Sequence, residues 1–339
     1  MKRFLLSFFL MMAWLSSVSG QMAGQGVYSF LQLTYSAREA ALGGIQVALP
    51  GADPELVLRN PALLSSGMDN TLSVGYAAYL AGIGFGQAAF AKDLGKYGMA
   101  AAGIRFADYG QFTAADETGV ITGSFGASDY ALTLTWGKSF DSLFTVAASL
   151  KPIYSHLENY RSFGIAADLG IVRHTADHLT TLALCVQNIG SQLTTYYDGG
   201  PRERTSWSLQ AGVSHLLKYA PLLLCLTAYD LNDWHRGVSL TDPNGIEPSS
   251  TGQSVFSAVM RHLALGAEIF PENRVTFRLG YNYRRHEDLQ ITGIPGMAGI
   301  SAGLGISLAA IRFSYSISGY AQGGTVQNFS MSANLAKLH

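Results

Sequence analysis

The chain has 339 residues, and 22 Lys+Arg against 23 Asp+Glu leave a formal net charge of -1. That balance speaks against a nucleic-acid binder, which carries a basic surplus. Only 13% of residues are charged while 48% are apolar, about half the roughly 25% charge of soluble domains and without the low hydrophobicity and high net charge of a disordered chain.

Lys2 and Arg3 precede an apolar run from Phe4 to Leu15, broken only by Ser7, and Val18-Ser19-Gly20 forms a small-residue exit before Gln21. This is the layout of a secretory signal peptide over residues 1–20, and so short a run falls below the ~20 residues of a membrane helix. No Cys follows the exit, so lipoprotein processing is not indicated. Residues 21–70 lack strand periodicity. They carry Ser36-Ala37-Arg38-Glu39-Ala40-Ala41-Leu42-Gly43-Gly44 and then Asn60-Pro61-Ala62-Leu63.

From residue 71 onward the side chains alternate. Leu72, Val74, Tyr76, Ala78 and Leu80 are separated by Ser73, Gly75, Ala77 and Tyr79, and Tyr130, Leu132, Leu134 and Trp136 follow the same rule. Phe163 to Ile171, Trp207 to Val213 and Val275 to Tyr283 repeat it. Period two means strands with one apolar face. Fourteen are expected, near 71–80, 84–92, 97–107, 128–139, 143–155, 162–173, 179–189, 205–216, 220–230, 255–270, 273–284, 297–308, 311–319 and 326–337. Most have the length a tilted strand needs to cross a bilayer.

Mid-strand charges separate a membrane barrel from a soluble sandwich. Arg105, Lys151, Asp168, Glu268, Arg278 and Arg312 all fall on the small or polar parity, away from the apolar face, and Lys138 sits near a strand end where its stem can snorkel. A charge facing lipid at mid-depth costs roughly 2–4 kcal/mol. Even-numbered connections are short, whereas 109–127, 190–204, 231–254 and 285–295 are long. That is the outer-membrane arrangement, with short turns in the periplasm. The fold class is therefore all-β: a 14-stranded antiparallel transmembrane barrel over 71–339, with 21–70 as an N-terminal hatch. Both termini are expected on the periplasmic side, and outer-membrane lipid is the immediate partner.

Patterns that imitate active sites dissolve in this context. Gly299-Ile300-Ser301-Ala302-Gly303 has the nucleophile-elbow spacing, but it runs on as a strand rather than turning into a helix. Gly82-Ile83-Gly84-Phe85-Gly86 has no helix after it and reads as a hairpin. His174, Asp177 and His178 share a short turn without the further ligands a metal needs. Lys151 and Asp168 face inward on neighbouring strands as a lumen ion pair. Cys185 and Cys225 lie on the seventh and ninth expected strands, so about 10 Å separates them, beyond the ~7 Å limit of a disulfide. Two free thiols are expected. Tyr130 and Phe140 share a parity at a spacing that matches the apolar band and read as girdle residues, with Tyr281 and Tyr283 at the outer interface. No enzyme chemistry, metal or cofactor is indicated.

The small-Arg-small run ending in Gly43-Gly44, followed by Asn60-Pro61-Ala62, resembles the fatty-acid-transporter (FadL-like) barrels, which implies fourteen strands and a hatch plugging the lumen. A larger ordered set covers essentially the mature chain: Gly26-Val27-Tyr28-Ser29-Phe30-Leu31, the Arg38 segment, Asn60 to Leu64, Tyr109-Gly110-Gln111-Phe112, Ile153 to Glu158 and Asn188-Ile189-Gly190. It resembles the PorQ family of the type IX secretion system. That resemblance implies a non-enzymatic outer-membrane component of a cell-surface attachment complex in Bacteroidetes-type bacteria. Its implied partners are a PorV barrel, the PorU sortase and a PorZ-like surface protein. The end at Leu338-His339 departs from the terminal aromatic of many outer-membrane barrels. The rival expectation is a channel for hydrophobic small molecules, with a lipid-like ligand in the lumen. In the hatch, Pro61 biases Asn60 toward an extended backbone. Arg38 brings five donors that serve either to anchor the plug or to touch a ligand.

Overall fold

A computed structural model describes residues 26–141, 143–234, 255–289, 296–321 and 324–338. The expected signal peptide at 1–20, most of the connection at 231–254 and the final His339 lie outside the described residues.

Alternating apolar and small side chains build one closed antiparallel sheet. Its first half is β1 (Thr71–Ala78), β2 (Gly84–Asp93), β3 (Met99–Ala115), β4 (Ile121–Ser139), β5 (Phe144–Leu157), β6 (Tyr160–His174) and β7 (Thr180–Gln192). Its second half is β8 (Ser208–Leu216), β9 (Leu222–Ala228), β10 (Leu263–Ile269), β11 (Val275–Asn282), β12 (Ile300–Leu308), β13 (Ile311–Ala321) and β14 (Gly324–Asn334). Each strand pairs with its neighbours in sequence, and β1 closes on β14 from Thr71 opposite Asn334 to Ala78 opposite Gln327. Closure leaves no unpaired edge, as a strand fold inside lipid requires. Leu72, Tyr76, Leu132, Leu134, Trp136, Phe277 and Leu279 are exposed on the outer face while Ser73, Thr133 and Ser316 are fully buried inside. This inverted polarity, greasy outside and polar inside, belongs to a wall standing in a membrane. Tyr130 and Phe140 are exposed on that outer face.

The expected strand count holds, and the main boundary differences fall at β3, β4, β10 and β11. Residues 255–262 are not the start of a long strand: Val255–Met260 form helix α2, and β10 begins at Leu263. Phe256 and Val259 stand three residues apart, on one face of a helix but on opposite faces of a strand. The eleventh strand stops at Asn282, and Tyr283–Leu289 form helix α3. The Asn282 side chain accepts the Arg285 amide at 3.0 Å and starts the helix. Tyr283 therefore opens that helix instead of continuing the outer face of β11. The expected long loop at 109–127 is mostly hairpin, since β3 and β4 continue to Ala115 and Ile121. Asp116 closes their turn by accepting the Thr118 and Val120 amides at 2.9 and 3.0 Å. Both faces of that hairpin meet solvent, so period two is absent there.

The hatch lies inside the barrel. Its helix α1 (Ala37–Ala41) is preceded by Ser36, whose hydroxyl accepts the Glu39 amide, and short 3₁₀ turns follow at Pro54–Leu58 and Pro61–Leu63. Gly26 packs on Ser206 and Val27 bridges to Thr205, at the end that carries the long connections. Leu335 binds back to Asn70 at the opposite end. Gly26, the first described residue, lies at the long-connection mouth, and the chain runs from there down the lumen before β1; the N-terminus, expected on the periplasmic side, lies outside the described residues.

Candidate functional site: the plugged lumen

Small residues on the inner wall let the hatch come close. A Cβ on Gly280 would lie 2.1 Å from the Gly43 nitrogen, and one on Gly170 would lie 2.3 Å from the Asn60 side-chain oxygen. Gly43 and Gly44 adopt φ of 95° and 88°, a region costly for any residue with a Cβ, so the turn after α1 needs both glycines. Asn60 donates to the Val47 carbonyl at 2.7 Å and accepts the Ala62 amide at 3.1 Å, with Pro61 opening the 3₁₀ turn. The Asn-Pro-Ala run thus folds one hatch turn and pins it to a second.

Arg38 is a plug anchor. Its Nε and Nη2 bind both oxygens of Glu268 on β10 at 2.8 and 2.7 Å, and its Nη1 reaches the Pro50 carbonyl at 2.9 Å and Asp53 at 3.3 Å. Arg278 on β11 binds the same Glu268 at 2.7 Å. Arg312 on β13 binds Asp53 at 2.7 Å, and Ser332 on β14 adds a hydroxyl at 3.2 Å. Three guanidiniums and two carboxylates therefore clasp the hatch to the wall. Such buried pairs are favourable only when every charge is matched and hydrogen-bonded.

A second, independent pair lies in the wall. Lys151 meets Asp168 at 2.5 Å and Asn188 at 2.9 Å, and Asp168 also accepts the Asn188 amide at 2.7 Å. Arg105 stacks over the Tyr35 ring at 4.9 Å and donates to Gln87. The six inward charges expected from parity all point into the lumen. Three join the clasp, Glu268 binding Arg38 of the hatch and Arg278, and Arg312 binding Asp53 of the hatch; Lys151 and Asp168 pair within the wall, and Arg105 faces an aromatic ring.

Strand parity passes over the charges of the hatch itself. Arg59 pairs with Glu39 at 2.7 Å and donates to the Leu33 carbonyl, and Gln187 binds the Arg59 carbonyl. Ser36 donates to Glu55 at 2.6 Å. Burial pushes the Glu55 carboxyl up to about 7, and the neighbouring Asp53 charge adds to the rise. For Asp53, burial also acts upward, but Arg312, Arg38 and Arg278 outweigh it and hold the group below its usual range. The signal for these residues was the presence of Glu39, Asp53, Glu55 and Arg59 in a segment otherwise small or apolar.

Apolar layers fill the remaining space. Toward the short-turn end, Leu42, Val47, Leu49, Leu56 and Leu63 pack on Ala147, Val172 and Leu223. Toward the long-connection mouth, Phe30, Leu31 and Tyr35 meet Phe85, Ile153 and Val326, with Tyr79, Tyr109, Tyr196 and Tyr320 half-buried around them. Polar groups edge this layer: the Tyr109 hydroxyl donates to Asp129 at 2.7 Å, the Tyr196 hydroxyl to Ser155 at 2.8 Å, and Arg285 lies over the Tyr320 ring at 4.3 Å. Cys185 and Cys225 are buried free thiols, Cys225 in the layer toward the short-turn end and Cys185 against the Arg59 carbonyl. His174 and His178 stand in the turn after β6, and Ser301 binds the Ala41 carbonyl and the Gly43 amide from within β12.

Fold comparison decides the class of barrel. The TodX deltaS2 mutant, described as a monoaromatic hydrocarbon channel, aligns with TM-score 0.55 and 14% identity over 89% of this chain and 98% of its own. The toluene transporter TodX of Pseudomonas putida aligns at 0.54, with 13% identity over 89% and 98%. A FadL homologue of Pseudomonas aeruginosa aligns at 0.50, with 13% identity over 88% and 98%. The fold is that of the FadL-like outer-membrane barrels. No family model and no curated protein sequence matches the chain.

Proposed function

We propose that the protein is an outer-membrane channel for small hydrophobic molecules, closed by its hatch and opened when the hatch shifts. The carrying observation is the aromatic layer inside the long-connection mouth, where Tyr79, Tyr109, Tyr196 and Tyr320 surround Phe30 and Phe85. Arg105, Arg285 and Asp129 lie against Tyr35, Tyr320 and Tyr109, and the rest of the layer is aromatic and aliphatic, offering apolar area to an incoming solute. The TodX descriptions, a monoaromatic hydrocarbon channel and a toluene transporter, support the same solute class. On this reading the short turns and the C-terminus are periplasmic and no reaction is catalysed. The test is uptake of radiolabelled toluene and of a long-chain fatty acid by cells whose outer membrane lacks its own such channel. Faster uptake with the protein than with an empty barrel control supports the reading, and uptake of neither solute above that control refutes it.

A second reading follows the PorQ resemblance: a non-enzymatic organiser of the type IX attachment complex, meeting a PorV barrel, the PorU sortase and a PorZ-like protein. The hairpin of β3 and β4 favours it, because Val120 and Ile121 are exposed at its tip, 61% and 71%, far beyond the membrane belt. Co-purification from gently solubilised outer membranes, compared between the intact chain and one with Val120 and Ile121 changed to Ser, tests that docking role.

A further inference from the structure

On the outer face of β3 to β6 two rungs lie one above the other. The register aligns Phe106, Tyr130, Tyr154 and Phe163 as an aromatic rung, with Tyr130 on Tyr154 at 6.4 Å and Tyr154 on Phe163 at 5.0 Å. Two residues toward the long-connection mouth, the register aligns Asp108, Ser128, His156 and Arg161. Two residues rise about 7 Å, so the wall changes from girdle to polar within the depth of one lipid headgroup. At this level the β3–β4 ladder slips between Asp108 and Gln111, with Gly110 at φ 78°. The slip opens a notch of about 540 Å³.

We infer that this notch, bounded by Asp108, Gln111, Tyr130, His156, Glu158 and Asn159, binds the saccharide headgroup of an outer-leaflet glycolipid. The parity places Asp108, Ser128 and His156 on the same face as Ile104 and Leu132, which are exposed belt residues. An occupant therefore stands in the leaflet, its chains along the belt and its head in the notch. The lining offers two carboxylates, two amides, an imidazole and serine hydroxyls, and the two carboxylates outnumber the one guanidinium, Arg161, that stands beside His156 on the next strand. Carboxylates accept hydroxyl hydrogens and repel phosphate, which selects an uncharged polyol over an anionic head. Tyr130 forms the floor, giving an apolar face to sugar C–H groups.

The experiment is native mass spectrometry of the intact protein released from nanodiscs that hold digalactosyl diacylglycerol and phosphatidylglycerol in equal amounts. The wild type is expected to retain the galactolipid in preference. Glu158→Ala with Asn159→Ala, and separately Ser128→Phe to fill the notch, are expected to weaken that retention about tenfold, the loss of one or two hydrogen bonds. Heat-shifted mobility on gels verifies that each variant is a folded barrel. Equal retention of both lipids by the wild type overturns the ligand class. A galactolipid preference that survives both folded variants overturns the site.

Discussion

Removing one carboxylate should unseat the hatch while leaving the barrel standing. In Glu268→Ala, three charge-assisted bonds disappear: those from Arg38 Nε and Nη2 at 2.8 and 2.7 Å and that from Arg278 Nε at 2.7 Å. Two buried guanidiniums then face each other, and the counter-charge left to them is Asp53, which Arg312 also shares. Deleting one partner of such a buried cluster costs about 3–5 kcal/mol. That corresponds to roughly a hundred- to several-thousand-fold in the seating equilibrium. The cost falls on the hatch because Glu268 keeps its backbone place between β9 and β11, and every wall strand keeps two neighbours. Hydrogen exchange in bilayer discs is the assay. The amides of Ala40, Leu42 and Gly44, bonded within the hatch to Ser36 and Glu39, should exchange faster by a factor of that order. Amides of β1 and β14 should not change. Adding Arg38→Met to Glu268→Ala should restore part of the protection, since it removes one uncompensated cation. Unchanged hatch exchange in a folded Glu268→Ala barrel would falsify the clasp, and so would a Met substitution that makes matters worse.

Three further outcomes follow from the same geometry. Gly280→Ala puts a methyl 2.1 Å from the Gly43 nitrogen and 2.4 Å from the Leu42 carbonyl carbon, both backbone atoms that cannot swing away. Seating should weaken by about 1–3 kcal/mol, read as raised planar-bilayer conductance; a closed, wild-type trace would contradict the close approach. The Glu55 carboxyl is shifted from 4.5 up to about 7 when the hatch is seated, so the seated state binds the proton more tightly. Its contribution is fully present below pH 4.5 and is lost as pH rises through 7, about 3 kcal/mol in all. Hatch protection measured from pH 5 to 8 should fall accordingly, and Glu55→Gln should flatten the slope; an identical slope in that variant removes Glu55 as the cause. Cys185 and Cys225 are 1% and 4% exposed, so a membrane-impermeant maleimide should leave both unlabelled in the wild type and react once Glu268→Ala frees the hatch. Rapid labelling of the folded wild type would show that the plug does not cover them.

The barrel wall was legible because its physics is local. Lipid outside and a polar interior impose period two on every crossing strand, so Leu72, Val74 and Tyr76 or Phe277 and Leu279 declare their face within a few residues, and the inward parity of Arg105, Lys151 and Arg278 follows from the penalty on a charge in hydrocarbon. The same locality explains the misses. Val255–Met260 and Tyr283–Leu289 are short segments that adjoin true strands, too brief to show a period of their own, and the second depends on the Asn282 cap. The β3–β4 hairpin stands in water on both faces, so no alternation marks it.

The hatch is the opposite case. Arg38, Asn60, Gly43 and Gly44 could be singled out as unusual, but Arg38 meets Glu268 across 230 residues of chain, and Asp53 meets Arg312 across 259. No period links such positions. The amino-acid sequence by itself determined that a barrel forms, which face of each strand meets lipid, and that charges turn inward. Only the tertiary structure decided which inward charges meet, that the hatch runs down the lumen from the long-connection mouth, and that Glu39, Asp53, Glu55 and Arg59 belong to the site. The physical reason is range: solvent polarity acts on each residue where it stands, whereas ion pairs and close backbone contacts exist only after closure of the barrel brings distant segments together.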